Sequence, residues 1–101
     1  NEVIVCGEWT VNLARRTVIK HNKTIDLTMK EFEVLKLLAS NAGQVFTREQ
    51  ILKNVWGYDY YGDLRSVDVT IRRIREKIEI NPKEPRYLKV VWGVGYKIEK
   101  Q

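Results

Sequence analysis

The residues with the most chemistry to offer run from Arg65 to Lys77, RSVDVTIRRIREK. Val67, Ile71, Ile74 and Ile78 recur at helical spacing and form one apolar stripe, wide enough to seat a helix on a core. Arg72, Arg73, Arg75 and Lys77 charge the remaining surface, and the short side chains Val69 and Thr70 sit one turn earlier. Guanidinium groups bond phosphate oxygens and the O6/N7 edge of guanine, and small apolar groups meet the thymine methyl. Such a helix suits the DNA major groove. A charged face is also the ordinary solvated side of an amphipathic helix, so the flanking elements must decide between the two.

Other chemistries find few residues to carry them. The single histidine, His21, falls in a turn between strands and reads as exposed rather than as a catalytic base. One Cys and one His offer no metal-ligand spacing, so neither a metal nor a cofactor is expected. Gly93-Val94-Gly95 is not a phosphate loop, since no GxGxxG pattern or Walker lysine follows. Glu31 and Glu33 lie two apart and point to different helix faces, which argues against a carboxylate dyad. Cys6 reads as a small strand residue rather than a nucleophile. These absences point away from an enzyme.

Composition narrows the class further. The 101 residues are 44% hydrophobic and 31% charged, which predicts one folded domain spanning 1–101. A net charge of +5 favours an acidic partner. No apolar run approaches the roughly 20 residues of a membrane span, and no signal-peptide pattern opens the chain. A lone cysteine forms no internal disulfide and fits a reducing cytosol, so a cytoplasmic location is expected. The opening Asn1, without an initiator Met, fits a piece of something longer.

The elements that must position the basic helix read in three blocks. Residues 3–27 look like strands: Val3-Ile4-Val5, then Trp9 to Leu13 with Trp9, Val11 and Leu13 on one face, then Thr17 to Lys20 and Thr24 to Leu27. His21-Asn22-Lys23 reads as the last turn. Thr28 and Glu31 form a capping box with Leu27 and Phe32 as its staple, and Gly43 ends the helix they start. Thr47 and Gln50, flanked by Phe46 and Ile51, repeat the pattern, and Gly57 stops that second helix. Trp9, Phe32, Leu35, Leu38, Ile51, Leu52, Val55, Ile71, Ile74 and Ile78 are the expected core, with Trp56 also facing inward.

After the loop 57–64, Ser66 is the expected N-cap of the basic helix. That helix runs to about Ile80, before Asn81-Pro82 and Pro85 break it. Tyr87–Val91 and Tyr96–Ile98 then form a hairpin around Trp92-Gly93-Val94-Gly95, whose two glycines permit positive φ angles in a slim tip. A slim hairpin beside a basic helix is the wing of a winged helix-turn-helix. The expected class is α+β: an N-terminal antiparallel sheet, three helices and a C-terminal β-hairpin wing.

At this point the pieces resemble a known family. Leu27-Thr28 with Glu31–Leu35, Val45–Leu52, Val55-Trp56-Gly57, Arg65–Val69, Ile71–Arg75 and Trp92–Lys97 follow, in order and spacing, the C-terminal effector domain of OmpR/PhoB-type bacterial two-component response regulators. The resemblance implies sequence-specific binding of double-stranded promoter DNA. The recognition helix, about 66–80, would enter the major groove, and the wing, about 87–98, would lie near the minor groove. Val69, Thr70, Arg73 and Arg75 would face base edges, with Arg73 the favoured guanine reader. Trp56, Arg65, Ser66, Arg72 and Tyr96 match positions that hold the sugar-phosphate backbone. Asp68 reads as structural support and is expected to pair with Arg72 one turn on.

The wing departs from a common family pattern. Trp92 stands where many members place an arginine that enters the minor groove, and an indole supplies no cation there. It either lies along sugars or braces the hairpin. The loop bearing Tyr58, Asp59, Tyr60, Tyr61 and Asp63 corresponds to the family's RNA polymerase contact. The resemblance also implies a receiver domain absent from these residues, phosphorylated by a sensor histidine kinase and pairing two copies on direct repeats. The competing reading is a winged-helix docking module for proteins, without DNA. The clustered arginines argue against it.

Overall fold

The computed structural model of the chain describes residues 3–57, 63–79 and 81–99. Four short strands open it: β1 (Val3–Cys6), β2 (Trp9–Asn12), β3 (Thr17–Lys20) and β4 (Lys23–Ile25). They pair in sequence order as an antiparallel sheet. Strand alternation sends Trp9, Val11 and Val18 into the core and leaves Val3, Val5 and Ile19 on the outer face. The last turn is tighter than the sequence suggests. In it His21 and Asn22 adopt left-handed φ angles of 52° and 64°, and Lys23 already pairs with Lys20. β4 then stops at Ile25, freeing Leu27 to sit half-buried before the first helix.

Helix α1 (Met29–Ser40) starts where its capping box requires. The Thr28 hydroxyl accepts from the Glu31 amide at 3.2 Å, and the Glu31 carboxylate accepts from the Thr28 amide at 3.1 Å. α1 ends earlier than Gly43, with Asn41 as its C-cap. The Gly43 amide instead donates to the Ile98 carbonyl at 2.8 Å, tying the turn to the wing. Phe46–Thr47 then form a short strand, β5, that the sequence does not announce. Helix α2 (Arg48–Trp56) has the second capping box, with Thr47 and Gln50 bonded reciprocally at 3.1 and 2.9 Å. Ile51 and Leu52 are buried, whereas Val55 and Trp56 are only half-buried at the end of α2.

Helix α3 (Arg65–Ile78) is the third and begins differently. Ser66 is not its cap: Leu64 occupies that position, and no side chain caps the amides there. Asp63 does the nearest equivalent, accepting from the Arg65 amide at 2.9 Å. The helix closes at Ile78, and Ile80 lies outside the described residues. Strands β6 (Leu88–Val91) and β7 (Gly95–Ile98) form the wing, and β5 joins β7 to give the order β5-β7-β6. Of the two wing glycines only Gly93 needs positive φ, at 80°. Gly95 is required for space: a Cβ there would meet the Phe46 carbonyl oxygen at 1.9 Å. The core is continuous across both sheets and all three helices, from Trp9 through Leu35, Ile51 and Ile71 to Ile98.

Candidate nucleic-acid interface

The apolar stripe of α3 fixes everything else about that helix. Val67, Ile71, Ile74 and Ile78 are buried, so residues half a turn away must face outward. Arg65, Val69, Arg72, Arg73 and Glu76 recur at spacings of three and four on that outer stripe. All of them are exposed, Val69 by 45%. Arg65 bonds Asp63 at 3.0 Å, and its backbone amide holds the Asp63 carboxyl below the usual carboxylate range. Arg72 lies 3.8 Å from Glu76, one turn on. Among the described residues, Arg73 has no carboxylate partner.

Thr70 and Arg75 do not share that stripe. Thr70 is three residues after Val67 and four before Ile74, so it lies on the inner side of the helix. It is buried, and its hydroxyl donates to the Ser66 carbonyl at 2.8 Å. Arg75 flanks the stripe one residue beyond Ile74 and turns toward the wing. Its Nε donates to the Leu88 carbonyl at 3.1 Å and its guanidinium lies 5.7 Å from the Tyr96 ring. Burial lowers its pKa from the ordinary arginine value. Val69 and Arg73 are thus presented outward, whereas Thr70 and Arg75 each donate to a backbone carbonyl, of α3 and of β6 respectively.

A second group ties α3 to its neighbours. Asp68 does not pair with Arg72. One carboxylate oxygen accepts from Arg48 Nη1 at 3.0 Å and the other from the Tyr96 hydroxyl at 2.7 Å. One carboxylate thus joins α2, α3 and β7. Burial, then the Asp68 bond, pushes the Tyr96 phenol up to about 12. Beyond this brace, Trp92 stands 87% exposed at the wing tip and Val94 53% exposed. Across α3 from the wing, Thr28 and Lys30 of the α1 start, Trp56 of α2, and Arg65, Ser66, Val69 and Arg73 line one groove. Tyr58, Asp59, Tyr60 and Tyr61 lie outside the described residues.

Residues 22–98 match the family described as "Transcriptional regulatory protein, C terminal". The chain belongs to that family. It is 41% identical to the Thermotoga maritima response regulator DrrB, an OmpR/PhoB homolog, with a TM-score of 0.92 over 99% of this chain and 45% of that one. The DNA-binding domain of Klebsiella pneumoniae RstA, solved in complex with the RstA box, is 36% identical, with a TM-score of 0.87 and 98% of each chain covered. The DNA-binding domain of Bacillus subtilis CssR is 37% identical over 89% of this chain and 98% of that one, with a TM-score of 0.77. The chain spans less than half the length of the DrrB chain.

The OmpR/PhoB-type fold here depends on carboxylate contacts that the sequence left unassigned. Glu79 is buried just past α3 and accepts from the amides of Arg86, Tyr87 and Leu88 at 2.7, 2.9 and 2.8 Å. It anchors β6, and hence the wing, to the end of α3. Glu31 has a second task beside its cap: its carboxylate meets Lys77 Nζ at 2.6 Å, locking α1 to α3. A glutamate beside a helix terminus was the available signal in both cases, but only the fold supplies the burial and the partners.

Proposed function

We propose that this chain is the output domain of a response regulator and binds promoter DNA site-specifically, with α3 in the major groove. The observation that carries the reading is the outer stripe of α3, where Val69 and Arg73 are presented between the wing and the groove beside α1. Arg73 reads guanine through its fork of N–H donors, and Val69 touches a thymine methyl or sets the approach. Arg65, Ser66, Trp56 and Arg72 hold the sugar-phosphate backbone and fix register. Thr70, Arg75 and Tyr96 keep the helix and wing in position. Trp92 lies along the sugars at the edge of the minor groove, since its exposed indole suits a surface partner better than a hairpin brace.

In the whole protein, a receiver domain phosphorylated by a sensor histidine kinase pairs two copies. Pairing raises the effective concentration of the second effector domain on adjacent direct repeats, roughly 10–11 bp apart. The loop 57–64 meets RNA polymerase, in the cytoplasm. Among the described residues no helix is long and apolar enough to cross a membrane. Selection of bound duplexes from a random pool, followed by affinity measurement over a salt series, tests the reading. One enriched motif with a steep salt dependence supports it. Enrichment of nothing, with no retention of any duplex, would leave the winged helix as a protein-docking platform.

A further inference from the structure

The groove on the α1 side of α3 draws from all three helices of the structure. Lys30 projects from the first turn of α1, and its Nζ donates to the Val55 carbonyl at 3.1 Å. The same ammonium lies 5.5 Å from the Trp56 ring. Arg65 reaches the groove from the start of α3, its side chain 86% exposed. The one carboxylate lining this groove, Glu31, is already engaged by Lys77 and by the Thr28 amide. Among the described residues, Lys30 has no carboxylate partner.

An ammonium has three donors, and the Val55 carbonyl takes one of them. Lys30 thus lines, with two donors to spare, a groove whose other cations are Arg65 and Arg73. The groove borders the outer stripe on the side opposite the wing, where the backbone of a duplex bound along α3 would pass. We propose that Lys30 is a further DNA-backbone residue, forming with Arg65 and Trp56 a seat for one phosphate built from three helices. This rests on the reading of α3 as a DNA-binding helix. It assigns to α1, otherwise a support for the core, a direct part in setting the register of α3 on the duplex.

The competing role is local. Lys30 also covers a carbonyl at the C-terminal end of α2, where a cation is favourable in itself. Salt dependence separates the two. Each phosphate neutralised contributes about −0.9 to the slope of log affinity against log salt. Lys30→Gln is therefore expected to make the slope shallower by about 0.9, equally on a selected and on a random duplex. Between about 50 and 200 mM salt, its affinity should fall about threefold less than that of the unaltered chain. Lys30→Arg should restore the slope.

A Lys30→Gln chain with an unchanged slope and only a lower melting temperature would overturn the proposal and leave the lysine as a cap on α2. If the unaltered chain itself bound no duplex in a salt-dependent way, the DNA-binding reading would fall, and this inference with it. An unaltered chain that binds, beside a Lys30→Gln chain of equal slope, would remove this inference alone.

Discussion

α1 and α2 differ from α3 in how their starts are encoded. The first two carry reciprocal capping boxes, Thr28 with Glu31 and Thr47 with Gln50, each complete within four residues. α3 carries no side-chain cap and is held by its apolar stripe, by Asp68 and by Glu79, whose partners lie on other elements. The first two helices are thus defined locally, while α3 is defined by what surrounds it. That division suits the proposed role of α3: its outer residues can be chosen for a partner, because few of them are needed to hold it in place.

The largest expected effect probes the stripe. Ile71→Ala in α3 and Leu35→Ala in α1 should each cost about 2–5 kcal/mol, from lost transfer energy plus a cavity. Chemical denaturation measures both. If Ile71→Ala cost under about 0.5 kcal/mol, a typical surface value, the account of α3 as held by burial would collapse.

Next comes the outer stripe. Arg73→Ala should lose about 1–3 kcal/mol on the preferred duplex and relax discrimination at one base pair, with little change in melting temperature. Arg75→Ala should do the reverse, lowering stability through the lost Leu88 and Tyr96 contacts. A panel of single-base variants, run beside thermal melts, reads both. Unaltered base preference in the Arg73→Ala chain would return the readout to other α3 residues.

The caps give a smaller and sharper contrast. Thr28→Ala and Thr47→Ala should each cost about 1 kcal/mol, whereas Ser66→Ala should stay within about 0.5 kcal/mol, because Ser66 caps nothing. Equal losses at all three sites would erase the difference between the helices.

An effect confined to high pH concerns Tyr96. Its folded pKa of about 12 exceeds the ordinary value of 10.0, so the unfolded chain loses the phenolic proton first. The contribution to stability is complete below about pH 10 and declines as pH rises toward 12. Tyr96→Phe should remove this decline, visible as a flatter dependence of the denaturation midpoint between pH 9 and pH 12. A decline of the same size in both chains would assign it to other groups.

Much of the fold was legible because its signals are short-range. Capping boxes, the alternation of Trp9 and Val11, the apolar period of α3 and the Gly57 stop all depend on residues within one or two turns. The end of α1, the strand β5 and the use of Gly95 were not legible in the same way. Each is decided where the Phe46 region meets the wing, some fifty residues away along the chain. For the site, the helical period alone separates the outer stripe from the inner one once the apolar face is known. Applied strictly, it places Thr70 beside the apolar stripe, where it is 8% exposed.

By itself, the sequence determined three helices, a β-rich start, a slim terminal hairpin and a cationic helix with one apolar face. These follow from hydrogen bonds closed over three or four residues and from the period of apolar side chains. Tertiary structure alone decided which cations remain available to a partner. It engaged Arg48 and Tyr96 with Asp68, Arg75 with Leu88 and Lys77 with Glu31, and among the described residues it left Arg73 and Lys30 without a carboxylate. A charge is satisfied or spare according to what stands within a few ångströms of it, and that distance is set by the packing of whole elements.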